Sequence, residues 1–192
     1  MSGEIPIAAI ALAAGRSSRM GSVNKLLREI DGVPMVRRVV KALIQGGLDS
    51  VTVVTGFESD NVRRCIEDLD VNIVHNPNHF EGMGSSISTG ARSVNCSALS
   101  GILVCLGDLP YLRPEIVANI VQAFLEDGAE RIVLPMHKSQ YGHPVIFPAR
   151  FRKQLESLTG DEGARRLFSE ENTLAIEVED SCVVHDLDTL DD

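Results

Sequence analysis

Short, near-continuous apolar runs alternate along this chain with longer amphipathic stretches, the pattern of a mostly parallel sheet with crossover helices. Residues 5–12 form the first run, suited to a buried central strand. Between Pro34 and Gln45, Val36, Val39, Val40, Leu43 and Ile44 share one helical face before Gly46-Gly47 stops the helix. A strand over 51–55 completes a βαβ unit. A helix over 58–69 and a strand over 72–75 follow, then the turn Asn76-Pro77-Asn78. The spacing next predicts a helix over 85–94, and a buried strand over 101–106 cut off by Gly107-Asp108-Leu109-Pro110. Pro114 opens a helix reaching Asp127. Beyond it come strands at 131–134 and 144–147 and a helix near Pro148. Residues 159–162 supply N-cap candidates for a helix over 163–169, a strand follows at 174–178, and the chain closes in an acidic tail over 186–192. The expected class is α/β: one Rossmann-like three-layer α/β/α domain over residues 1–192.

Composition narrows the partners. The 192 residues carry a formal net charge of −9, which repels the polyanionic surfaces of nucleic acids and anionic membranes. An anionic small molecule must therefore be held by local cations. The longest apolar run, Ile7 to Ala14, is too short to span a bilayer, and Met1-Ser2-Gly3-Glu4 lacks the positive start of a secretory signal, so a cytoplasmic protein is expected. Cys65, Cys96, Cys105 and Cys182 show no metal-type spacing and read as reduced thiols, mostly in the core.

The local cations sit between the first strand and first helix. Ala14-Gly15-Arg16-Ser17-Ser18-Arg19-Met20-Gly21, followed by Lys25, is a small-residue loop whose successive N–H groups can wrap a polyphosphate. In open α/β sheets ligands bind beyond the carboxyl ends of the strands, where this loop falls. Gly15 lacks the following glycine of a dinucleotide-binding fingerprint, and Gly15 to Gly21 lacks the spacing and Lys-Ser/Thr of a P-loop. Asp108 stands at the end of a buried strand, where it serves either as a turn residue or as a metal ligand. Among Asp186, Asp188, Asp191 and Asp192, the residues alone select none.

Taken together, Leu12-Ala13-Ala14-Gly15-x-Ser17-x-Arg19-Met20-Gly21 with Asn24-Lys25-Leu26-Leu27 resembles the opening loop of the MobA-like nucleotidyltransferases, specifically their molybdenum cofactor cytidylyltransferase branch. The resemblance continues through Gly82-Met83-Gly84-Ser85-Ser86 with Gly90, Gly107-Asp108-Leu109-Pro110, Gly142-His143-Pro144, Gly160-Asp161-x-Gly163-Ala164-Arg165 and Asp186-x-Asp188-Thr189. It departs at Leu109, where Met or Gln is commoner, at Leu190, where Pro is usual, and in stopping at Asp192. The family implies a fold of the nucleotide-diphospho-sugar transferase type. It also implies Mg²⁺-dependent transfer of a nucleotidyl group with release of pyrophosphate, which suits a metal held by one or two carboxylates together with substrate phosphates.

On this resemblance Asp108 and Asp188 are the metal pair, the family pattern preferring Asp188 to Asp186. Leu12, Ala13, Ala14, Gly15, Arg16, Ser17, Arg19 and Lys25 hold the nucleotide, with Lys25 reaching its phosphates and Arg19 the leaving pyrophosphate. Ala14-Gly15, where guanylyltransferases carry Gly-Gly, implies CTP as donor. Gly82, Ser85 and Ser86 contact base or ribose, although small residues there equally permit tight helix packing; Met83 and Met136 are expected to pack. For His143, Asp161 and Arg165 the implied role is binding the acceptor, the molybdenum pterin cofactor. A helix N-terminus after Asp161 would offer an anion site, and Asp161 would equally serve as its cap. The implied partners are these small molecules and a transient molybdenum hydroxylase apoenzyme. Two alternatives keep the same residues: a nucleotidyltransferase using another NTP or phosphate acceptor, and a non-catalytic carrier of the cofactor.

Overall fold

In chain order the computed structural model contains β1 (Ile7–Ala13), β2 (Glu29–Ile30), β3 (Val33–Pro34), α1 (Met35–Gln45), β4 (Ser50–Thr55), α2 (Ser59–Arg64) and β5 (Asn72–His75). It continues with α3 (Met83–Ser93), β6 (Gly101–Leu106), α4 (Pro114–Glu126), β7 (Ile132–His137), β8 (Gln140–Tyr141), β9 (Val145–Pro148), α5 (Arg152–Glu156) and β10 (Thr173–Glu177). The structure describes residues 6–15, 24–94, 99–161 and 163–184. Arg16, Ser17, Ser18, Arg19, Cys96, Asp186 and Asp188 lie outside the described residues.

One eight-stranded sheet has the order β10-β7-β9-β6-β1-β4-β5, with β8 pairing β7. β6, β1, β4 and β5 are mutually parallel, as are β10 and β7, and β9 runs antiparallel between the two groups. The first apolar run is buried at every position because β1 lies centrally with layers on both faces. Its side chains alternate: Ala9, Ala11 and Ala13 join the core beneath α1 and α4, whereas Ala8, Ile10 and Leu12 join that beneath α3 and α5. Leu12 and Ala14 therefore face α3, and the small Ala13 faces α1. No helix among the described residues is long and apolar enough to cross a membrane. Cys105 and Cys182 are buried free thiols and Cys65 is half-buried.

Two expected helices come out shorter. The helix expected over 58–69 ends after six residues. The chain then tightens into three-residue turns, with Cys65 N–H donating to Val62, Ile66 to Arg63 and Leu69 to Ile66. Arg37 of α1 stabilises this ending by donating to the Cys65 carbonyl at 2.8 Å and to both carboxylate oxygens of Asp68. The helix expected over 163–169 is a single 3₁₀ turn, Ala164–Leu167, capped by Gly163 without a side-chain bond. Asp161 is thus not its cap, and one such turn lacks the aligned peptide dipoles of a helical anion site.

Candidate active site

Asp108 and Lys25 meet beyond the carboxyl ends of β1 and β6. Lys25 opens a 3₁₀ turn whose geometry is set by Asn24: the buried Asn24 Oδ1 accepts from Leu26 N–H at 3.1 Å, and Leu26 is sunk in the core. That leaves Lys25 directed across the site, where Nζ lies 2.6 Å from Asp108 Oδ2, both side chains being more than four-fifths buried. Asp108 is brought there by Gly107, whose N–H donates to the Leu12 carbonyl at 2.9 Å. A Cβ on Gly107 would stand 2.6 Å from that oxygen, so only glycine lets the turn after β6 close onto β1. The other carboxylate oxygen, Asp108 Oδ1, is buried and accepts no hydrogen bond among the described residues.

A buried acceptor left without a donor is costly unless something else approaches it. Asp108 could hold a cation brought by the ligand, since one carboxylate completed by phosphates and waters suits Mg²⁺. No cluster of three or more His, Cys, Asp or Glu that could hold a metal occurs among the described residues, and Asp188 lies outside them.

The pair lies in a cavity of about 530 Å³ whose wall includes Leu12, Ala14, Gly15, Gly82, Ser86 and Asp161. Sites for small molecules typically fall between about 300 and 1,000 Å³. The Gly82-Met83-Gly84 segment owes its glycines to packing. The Gly84 N–H donates to the Gly160 carbonyl at 2.8 Å, and a Cβ on Gly82, whose φ is +109°, would fall 2.5 Å from Gly160 backbone atoms. The same docking brings Asp161 onto the cavity wall.

A second cavity, about 190 Å³, adjoins the first through shared Leu12 and Met83. It is lined by Tyr141, His143, Arg165 and Phe168, with apolar residues behind them. Arg165 lies 6.0 Å from the centre of the Tyr141 ring. His143 donates from Nδ1 to the Val104 carbonyl at 3.3 Å, and burial holds its imidazole below the usual histidine range despite that bond and nearby Asp108.

Leu12, Ala14, Gly15, Lys25, Gly82, Ser86, Asp108 and Asp161 thus share one cavity, and His143 and Arg165 its neighbour. Two expected nucleotide contacts are placed elsewhere. The Ala13 side chain faces the core on the opposite side of the sheet, because strand side chains alternate. The Ser85 hydroxyl is occupied within its own loop, donating toward the carbonyls of Asn78 and Gly82. Met83, expected to pack, is 43% exposed at the boundary between the cavities. Phe80 on the wall of the first cavity, Tyr141 on that of the second, and Asn76, buried against Ser86, had no signal in the periodicity. Phe80 and Tyr141 are exposed aromatics beside turns, and Asn76 is indistinguishable in sequence from a solvated turn residue.

The MobA-like NTP transferase domain model matches residues 9–175. The Escherichia coli molybdenum cofactor cytidylyltransferase is 26% identical over 184 residues, covering 95% of this chain and 91% of that protein. The bifunctional protein GlmU of Symbiobacterium thermophilum is 28% identical over 129 residues, 67% of this chain, which spans only 27% of that relative. Among solved structures, Rv0371c of Mycobacterium tuberculosis H37Rv superposes with a TM-score of 0.83 at 26% identity, covering 97% of this chain and 94% of that one. A family match running from the first strand to the last, around a cavity that pairs a strand-end carboxylate with a lysine, identifies the chain as a nucleotidyltransferase belonging to the MobA-like NTP transferase family.

Proposed function

We propose that the chain transfers CMP from CTP to the terminal phosphate of the molybdenum pterin cofactor, releasing pyrophosphate and forming the cytosine dinucleotide. The observation that carries this reading is the Lys25–Asp108 pair, whose buried Oδ1 has no hydrogen-bond donor among the described residues, set in a cavity that adjoins a second one. Asp108, joined by Asp188 on the family resemblance, would hold Mg²⁺, which when bound offsets the mutual repulsion of the two reacting phosphates. Lys25 and the loop after Gly15 supply positive charge to the triphosphate, which an acidic protein otherwise repels. The attacking phosphate is already an anion, so this chain needs no general base.

The acceptor side rests on the second cavity. Its wall is mainly apolar and aromatic, with His143 and Arg165 as the polar groups, which suits a ring system carrying a phosphate better than a polyhydroxylated sugar. CTP is preferred on the Ala14-Gly15 pair, and the likeness to the E. coli cytidylyltransferase supports both substrates. Delivery of the product to a molybdenum hydroxylase apoenzyme belongs to the same reading.

Pyrophosphate release in the presence of the molybdenum pterin cofactor, Mg²⁺ and each of the four NTPs tests it. CTP is expected to support turnover, and Asp108→Ala to lower it by about a hundredfold or more, since a metal contributes several kcal/mol at the transition state. Turnover with GTP or ATP instead would overturn the donor assignment, and turnover only with a sugar phosphate the acceptor assignment. If Asp108→Ala still reconstituted a hydroxylase fully, the protein would be a carrier.

A further inference from the structure

Asn76 follows directly after β5 in a segment whose sequence reads only as a turn, yet it is 2% exposed. Its backbone N–H donates to the Thr55 carbonyl at the end of β4 at 2.8 Å, and its carbonyl accepts from the His79 N–H at 3.3 Å. The side chain is oriented without ambiguity. Asn76 Oδ1 accepts from the backbone N–H of Asn78 at 3.0 Å, and since that N–H can only donate, the amide nitrogen must face the other way.

There Nδ2 meets two hydroxyls, Ser85 Oγ at 2.9 Å and Ser86 Oγ at 3.0 Å. An amide nitrogen carries two protons and no acceptor, so both serines accept from it and must send their own protons elsewhere. Ser85 sends its proton toward the Asn78 and Gly82 carbonyls, at 2.9 and 2.8 Å. Ser86 has no protein acceptor for its proton among the described residues, and it lines the cavity that contains Lys25 and Asp108.

We infer that Asn76 is a positioning residue for nucleotide binding: by donating to Ser86 it forces that hydroxyl to present its proton to the cavity, as a donor to an acceptor atom of the nucleotide's base or ribose. This rests on the reading of the cavity as the nucleotide site. Cytosine offers the ring nitrogen N3 and the carbonyl O2 as acceptors, and ribose its oxygens. A single donor fixed by a buried amide selects among these by geometry, because the serine cannot reverse its polarity without breaking the Asn76 contact. The backbone bond to Thr55 ties Asn76 to the end of the sheet and the bond from Asn78 fixes its side-chain amide, so the donor is held by the rigid part of the fold.

The substitution that inverts the polarity is Asn76→Asp, which keeps the shape and the bond from Asn78 but turns the donor into an acceptor. Ser86 would then donate inward and present a lone pair to the ligand. Calorimetric titration of Mg²⁺–CTP into the full chain compares native protein, Ser86→Ala, Asn76→Asp and the double variant, with a thermal melt of each to verify folding. Ser86→Ala and Asn76→Asp are each expected to weaken binding about tenfold, the scale of one hydrogen bond, and the double variant to be no weaker than the worse single one.

Native affinity in Ser86→Ala, or single effects that multiply in the double variant, would overturn the inference. So would an unfolded Asn76→Asp accompanied by native affinity in Ser86→Ala. Lys25→Ala separates the two levels: if it abolishes CTP binding while Ser86→Ala does not alter it, the nucleotide site stands and the role of Asn76 falls. If native protein binds GTP, ATP or UTP in place of CTP, the same four proteins are compared with that nucleotide. Binding of none would remove both readings together.

Discussion

Gly82→Ala tests whether the site is built by packing against the segment 159–161. Gly82 has φ +109° and ψ 178°, a region essentially confined to glycine, and holding another residue there costs about 1–3 kcal/mol. The added Cβ would also stand 2.5 Å from both the carbonyl carbon and oxygen of Gly160, closer still to Asp161 Oδ1. The Asp161 side chain can swing away, but the Gly160 backbone cannot without releasing its 2.8 Å bond from the Gly84 N–H, worth about 1 kcal/mol. The sum is a destabilisation of about 2–4 kcal/mol, since the alanine gains little in return at a position outside the helix. Urea unfolding reads this directly as a lowered midpoint at an unchanged slope. Because Gly82 and Asp161 line the same cavity, nucleotide affinity should fall in step. A midpoint within error of the native protein would refute the argument, showing that the 159–161 segment yields freely and that the Gly82-Met83-Gly84 motif answers to the ligand rather than to packing.

Three further outcomes are expected. Arg165→Ala should raise KM for the phosphate-bearing acceptor while leaving KM for the nucleotide unchanged, because Arg165 lines only the second cavity; steady-state kinetics with each substrate varied in turn checks it. His143 has its pKa held below the usual 6.5 by burial, so below that value the unfolded chain binds the proton more readily. Its contribution to stability is therefore complete above about pH 6.5 and is lost as pH falls toward the folded value; urea midpoints from pH 7.5 to 5.5 should decline more gently in His143→Gln. The Cys105 thiol is pushed up by complete burial and should resist iodoacetamide in the native state, becoming labelled only on unfolding, as peptide mapping would show.

The pattern of apolar positions determined the α/β class, because the continuous burial of β1, β4 and β6 and the amphipathic face of α1, repeating at about 3.6 residues, are local properties. The small-residue loop and the carboxylate at a strand end were legible for the same reason: a parallel strand buried on both faces places whatever follows it at the ligand-binding edge. What the sequence could not give was decided by partners distant along the chain. The antiparallel direction of β9 depends on β6 and β7 on either side of it, and the early end of α2 on Arg37, 28 residues before the Cys65 carbonyl it reaches. The close approach of Gly84 and the polarity of Ser86 likewise depend on Gly160 and Asn76, which only folding brings alongside. Periodicity records which face of an element is buried; hydrogen-bond direction and close backbone approach are properties of pairs, and the pairs exist only in the tertiary structure.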